Sequence, residues 1–128
     1  MARILVVEDD TLLALTICDL LEAEGHVTLH AADGEEALAE LRRHVPDLIV
    51  TDYRMPRMDG EALVNAIRRD PQLARLRVVM VSSYELDHLR ARQVAVDAYV
   101  QKPYQNAQLV AAVERMIQHG ERDPSRMR

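Results

Sequence analysis

Residues 48–60, LIVTDYRMPRMDG, carry a strand-forming run straight into a carboxylate, Asp52, and then through Met55-Pro56 to a second acid beside a glycine, Asp59-Gly60. An apolar run this short, ended by polar and turn residues, reads as a strand covered on both faces. Proline fixes the direction in which the chain leaves, and Asp59 has the character of a helix N-cap. What Asp52 is delivered to depends on where the neighbouring strands end.

The same device recurs along the chain. ILVV runs into Glu8, Asp9 and Asp10; VVMV runs into Ser82 and Ser83; AYVQ runs into Lys102-Pro103. Strands are expected at Arg3 to Val7, Val27 to His30, Asp47 to Thr51, Arg77 to Val81 and Ala98 to Gln101. Between them, apolar residues recur at helical spacing: Leu13, Ile17, Leu20 and Leu21; Ala37, Leu38 and Leu41; Leu63, Val64 and Ile67. A fourth helix lies weakly patterned within Glu85 to Val94. A fifth, Asn106 to His119, carries Leu109, Val110, Val113, Met116 and Ile117, with Gly120 suited to its C-terminal cap. Alternating β and α segments predict an α/β fold with a parallel sheet between two helical layers, in which the alternating HVTLH has the character of a sheet edge.

Bulk composition narrows the function. At 128 residues the chain has the size of one domain. We read residues 1–120 as that domain and 121–128, ERDPSRMR, as a loose polar tail or the start of a linker. A net charge of −5, with Tyr the only aromatic type, argues against a nucleic-acid or anionic-membrane surface. No apolar run is long enough for a membrane helix and the N-terminus lacks signal-peptide layout, so a cytoplasmic setting is expected. Cys18, within an apolar stretch, reads as a buried small hydrophobe. Of the five histidines only His26 and His30 sit four apart, on an expected strand, which is poor support for a metal site.

In an open parallel sheet, ligands bind beyond the carboxyl ends of the strands, so the acids, the hydroxyl and the amine converge on one crevice. Singly, each has a bland explanation: Asp10 as a helix cap, Ser82 or Lys102 as a loop residue. Two carboxylates about 5 Å apart repel by roughly 3 kcal/mol at an effective dielectric of about 20. Glu8, Asp9 and Asp52 together therefore call for positive charge, which Lys102 and a divalent ion supply. Oxygen-only ligands suit Mg²⁺ or Mn²⁺. Such a centre can neutralise an incoming phosphate, and aspartate is a competent nucleophile for an acyl phosphate.

In their order, VVEDD, TDYRMPRMDG, MVSS and AYVQKP resemble the receiver domain of two-component response regulators over about Arg3 to His119. The resemblance implies a flavodoxin-like (βα)5 three-layer sandwich with strand order 2-1-3-4-5, an order for which a member of this family is itself a standard example. It further implies that Asp52 accepts a phosphoryl group from a histidine kinase, a phosphotransfer protein or a small acyl phosphate. Asp9 and Asp52 would bind Mg²⁺ directly and Glu8 through water, with the backbone carbonyl of Arg54 as a further ligand. Ser82 and Lys102 would contact phosphoryl oxygens, and Ser82 with Tyr99 would form the switch that remodels the face of helix 4, strand 5 and helix 5 for a downstream partner or a phosphorylation-dependent dimer. The catalysis so implied is self-directed rather than that of a turnover enzyme.

Some features depart from the family's usual pattern. Ser82 stands where Thr is commoner, which removes the β-branch that stiffens the rotamer. The segment from Ser82 to Lys102 is about two residues shorter than usual, and QVAVDAYV lacks the usual glycine before strand 5. From their placement two residues beyond Asp52 and Ser82, Arg54 and Tyr84 are read as a cover that hinders water from the phosphoryl group. The aspartate-nucleophile phosphatases want a second acid where Arg54 stands, and flavodoxins want a phosphate-cradling loop where VVEDDTLL is acidic and free of glycine. A receiver-like module that binds partners without phosphorylation is the surviving alternative. Only eight residues follow Gly120, so output is expected from a docked partner protein or from a domain of a longer regulator or hybrid kinase of which this is a part.

Overall fold

The runs ILVV, LIV and VVMV occupy the middle of a five-stranded sheet, where both faces are covered and only near-continuous apolar sequence is tolerated. The structure, a computed structural model, describes residues 1–84 and 86–122. The elements in chain order are β1 (Arg3–Val7), α1 (Thr11–Glu22), β2 (Val27–Ala31), α2 (Gly34–Arg43), β3 (Leu48–Asp52), α3 (Gly60–Arg69), β4 (Arg77–Ser82), α4 (Leu86–Ala91), β5 (Ala98–Gln101) and α5 (Asn106–Arg122). All strand pairs are parallel and the order is β2-β1-β3-β4-β5. This is the flavodoxin-like arrangement that the family resemblance implied.

Alternation along the strands builds two cores. Leu5, Val7, Ile49, Val78 and Met80 pack with Ala37, Leu41, Leu63, Val64, Ile67 and Leu89, which places α2, α3 and α4 on one face. Ile4, Val6, Leu48, Val50, Val79 and Val81 pack with Ile17, Cys18, Leu21, Leu109, Val113 and Met116, which places α1 and α5 on the other. Each large side chain fully withdrawn from water in this way contributes about 1.5–3 kcal/mol. Along α1 the fully buried positions are Ala14, Ile17, Cys18 and Leu21, while Leu13 and Leu20 of the expected stripe are only half-buried against them. β2 lies at an edge as its alternation implied, with Val27 and Leu29 exposed.

Several boundaries move. β2, β3 and β4 each run one residue further than expected, so Asp52 ends β3 instead of following it. Asp47 is outside β3, and its carboxylate accepts the Arg3 N–H at 2.8 Å. α4 is a helix of six residues, and the Glu85 start allowed for it lies outside the described residues. α5 continues through Gly120 to Arg122, which corrects the expected cap. One glycine costs a helix only about 1 kcal/mol relative to alanine, too little to end a helix already anchored by an apolar face. Of the expected tail, residues 121 and 122 belong to α5, and 123–128 lie outside the described residues. Gly25, with φ +92°, makes the turn from α1 into β2, where a side chain would be strained. Among the described residues no helix is long and apolar enough to cross a membrane.

Candidate functional site

Register brings the strand ends together. Val7 pairs with Thr51, so Glu8 stands level with Asp52; Asp52 pairs with Val81 and Ser82 with Gln101, so Ser82 and Lys102 follow on the same edge. Asp10 leaves the cluster to cap α1, accepting the N–H groups of Leu12 at 3.0 Å and Leu13 at 3.2 Å. Asp59 likewise caps α3 by accepting from Ala62 N–H at 2.9 Å. Both are caps, as the sequence suggested.

The remaining acids converge. Glu8, Asp9 and Asp52 each offer one carboxylate oxygen, all within 4.8 Å of one another. Glu8 and Asp52 are buried or nearly so, whereas Asp9 opens to solvent. Lys102 Nζ donates to both oxygens of Asp52, each at 3.2 Å, and the N–H of Tyr53 donates to Asp52 Oδ1 at 2.9 Å. Burial pushes the Glu8 carboxyl up to about 7; the negative charge of Asp52 and a hydrogen bond with Asp9 add to the rise, against the N–H of Asp10 and the charge of Lys102. Three carboxylates against one ammonium leave the cluster short of positive charge. A hard divalent cation with oxygen ligands fits that donor set, and neither a thiolate nor an imidazole is among the three. An open crevice lined by Asp9, Arg54, Met55, Pro56 and Asp59 leads to it.

Around the cluster the expected residues take defined places. Ser82 is buried, and its Oγ accepts from the N–H of Tyr84 at 3.0 Å. Tyr99 is half-buried, its hydroxyl donating to the Ser82 carbonyl oxygen at 3.4 Å, so the two expected switch residues already touch. Arg54 Nη1 donates to the Tyr84 hydroxyl at 3.2 Å, which joins the two residues of the expected cover. The histidine pair is separated: His26 precedes β2, accepting the Ala2 N–H at 3.1 Å and meeting Glu114 at 2.5 Å, while His30 Nε2 lies 2.7 Å from the Glu8 carbonyl oxygen.

Residues 4–114 match the model of the response regulator receiver domain family. The chain belongs to that family. Among curated relatives, the receiver is 34% identical to the polar-differentiation response regulator DivK of Brucella anthropi, over 78% of this chain and 83% of DivK. It is also 34% identical to the gliding motility regulatory protein of Myxococcus xanthus over 89% of this chain, but it spans only 15% of that protein. Among solved structures, the signal receiver domain of a histidine kinase from Syntrophus aciditrophicus superposes with a TM-score of 0.89, at 31% identity, covering 95% of this chain and 94% of that one. The receiver domain of a sensor histidine kinase from Pseudomonas aeruginosa, solved with a magnesium ion coordinated in its active-site cleft, superposes with a TM-score of 0.83 at 28% identity, covering 91% and 98%.

The receiver also holds contacts that no local pattern announces. The Tyr53 hydroxyl donates to Glu61 at 3.0 Å and lies 3.3 Å from His88 Nε2; Arg92 Nε reaches the same Glu61 oxygen at 2.5 Å. Tyr84 stacks on His88 with ring centroids 4.4 Å apart. α4 is thereby tied to α3 and to both loops beside Asp52. Asp33 and Arg57, neither flagged from sequence, form an ion pair across the mouth of α2. Asp33-Gly34 ahead of an apolar stripe is a readable N-cap signal, but a partner 24 residues away is not.

Proposed function

We propose that this receiver takes a phosphoryl group onto Asp52 from a histidine kinase or phosphotransfer protein, or from a small acyl phosphate, and uses the modification to change its surface for a partner. The observation that carries the reading is the placement of Lys102 Nζ at equal distance from both oxygens of a carboxylate that shares a crevice with Glu8 and Asp9. A carboxylate oxygen of Asp52 forms the new O–P bond as the P–N bond to the kinase histidine, or the P–O bond of the acyl phosphate, breaks. Lys102 then pairs with the transferred oxygens, and Ser82 turns its hydroxyl to another. Held by Asp9, Asp52 and the Arg54 carbonyl, with Glu8 behind them, Mg²⁺ would neutralise the charge that builds on the phosphoryl group. The magnesium ion in the Pseudomonas receiver's cleft supports this choice of metal.

Phosphorylation raises the charge on Asp52 from about one negative to about two. Ser82 is linked to Tyr99 through its carbonyl and to Tyr84 through its hydroxyl, so its movement would reach β5 and α4. We place the unit at residues 1–122, to the end of α5, and in the cytoplasm, with output through a docked protein or a covalently linked domain. Incubation with acetyl phosphate and Mg²⁺ is expected to phosphorylate the chain, and EDTA to stop the reaction. Phosphorylation that persists in EDTA contradicts the metal-dependent reading.

Arg54 and Tyr84 supply a second test. Arg54 lines the crevice beside Asp9 and donates to the Tyr84 hydroxyl at 3.2 Å, which supports reading the pair as a cover over the phosphoryl group. Arg54→Ala and Tyr84→Ala are each expected to hasten loss of the phosphoryl group severalfold, about 1 kcal/mol in barrier, measured as the decay of phosphoprotein after removal of the donor. An unchanged decay in both variants would mean that water does not approach past them.

A further inference from the structure

The loop that would supply the Arg54 carbonyl is fastened to the start of α2 as well as to its own strand. Arg57, in residues 53–59 between β3 and α3, has φ +64°, a left-handed conformation that residues with side chains rarely hold without external support. Its guanidinium grips Asp33: Nε donates to Asp33 Oδ2 at 2.9 Å, and Nη2 donates to the same oxygen. The other Asp33 oxygen accepts the Glu36 N–H at 2.9 Å, so one buried carboxylate caps α2 and holds the loop. Next to it the Gly34 N–H donates to the Met58 carbonyl at 3.1 Å, and a Cβ on Gly34 would lie 2.7 Å from that oxygen. Two loop residues are thus fastened to the first turn of α2, while Arg54, Met55, Pro56 and Asp59 of the same loop wall the crevice.

We infer that Asp33 and Arg57 form a latch that sets the geometry of the 53–59 loop for Mg²⁺, making both of them positioning residues for the metal site. The inference rests on the Mg²⁺-dependent reading given above. The Arg57 side chain is 64% exposed while Asp33 is buried, so the pair reaches from solvent to the base of the loop. Its energy is expressed locally, in the conformation of the loop it holds. The arrangement matches the general behaviour of outer partners that orient the ligands of a metal without touching it.

Titration of the full chain with MgCl₂ by calorimetry tests the latch without reference to phosphorylation. Arg57→Gly removes the guanidinium but adopts the left-handed conformation freely; Asp33→Asn keeps a competent helix cap and loses the charge. Each is expected to raise the Mg²⁺ Kd about tenfold, the low end for outer-shell partners. The double variant should bind no more weakly than the weaker single one, because both break the same contact. The thermal midpoint of Arg57→Gly, read beside its Mg²⁺ Kd, separates a loss confined to the loop from a loss of the whole fold. A wild-type Kd in Arg57→Gly, or fully additive losses in the double variant, would overturn the inference while leaving the Mg²⁺ reading intact. If Asp33→Asn does not fold, Arg57→Gly alone still decides. Wild-type protein that binds no Mg²⁺ would overturn the reading and the latch together.

Discussion

Lys102→Ala is expected to slow phosphorylation of Asp52 by acetyl phosphate about 10²- to 10³-fold, the usual cost of removing one preorganised electrostatic partner of a transferred group, while Mg²⁺ affinity stays the same or rises. The two halves of this result come from one geometry. Nζ stands 3.2 Å from each Asp52 oxygen, with a side chain only 30% exposed, so its charge is directed at the reacting carboxylate instead of being spent in water. During transfer that charge meets the phosphoryl oxygens, and losing it raises the barrier. Before transfer, the same charge opposes a cation bound by Glu8, Asp9 and Asp52, and losing it removes that opposition. A rate within threefold of wild type would take Lys102 out of the mechanism. A fall in Mg²⁺ affinity that tracks the fall in rate would make Lys102 a strut for the acid cluster.

Gly60→Ala is expected to have the largest effect on stability, a loss of about 2–3 kcal/mol as an overpacked, unyielding site, or a midpoint lower by about 10 °C in a chain of this size. Gly60 is the first residue of α3, and its N–H donates to the Tyr53 carbonyl at 2.7 Å. A Cβ there would lie 2.4 Å from the Asp52 carbonyl oxygen and 2.9 Å from the Tyr53 Cα. Both are backbone atoms of the strand end that presents the nucleophile, and neither can swing aside. The third neighbour, Met80 Cε at 3.0 Å, could. Thermal unfolding followed by circular dichroism measures the effect; a midpoint within 2 °C of wild type would show that the turn after β3 has slack the geometry does not suggest.

The crowding at Gly60 marks where sequence reading reached its limit. Asp59-Gly60 was legible as the opening of a helix, because capping is a local property of a few consecutive residues. That Gly60 must also be small is a fact about the approach of α3 to the end of β3. The same division runs through the molecule. The central strands could be read because burial on both faces demands unbroken apolar runs, and a parallel sheet then forces Glu8, Asp9, Asp52, Ser82 and Lys102 to one edge. α4 was legible only as a weak segment, since its six residues bury Leu89 and draw their placement from Tyr84 and Tyr53, which both meet His88. Arg57 gave no signal, because a left-handed arginine is set by its partner Asp33 and not by its own propensity. Gly120 misled, since local propensity was outweighed by packing along α5.

Signalling by this receiver depends first on Asp52 as phosphoacceptor. Intact mass of wild type and of Asp52→Asn, after incubation with Mg²⁺ and acetyl phosphate, tests it. The expected result is one added phosphoryl group on the wild type and none on Asp52→Asn. No adduct on the wild type, from acetyl phosphate or from a broad panel of histidine kinases, would rule out Asp52 as phosphoacceptor and leave a receiver fold that binds partners without phosphorylation; an adduct that survives in Asp52→Asn would place the chemistry on another residue.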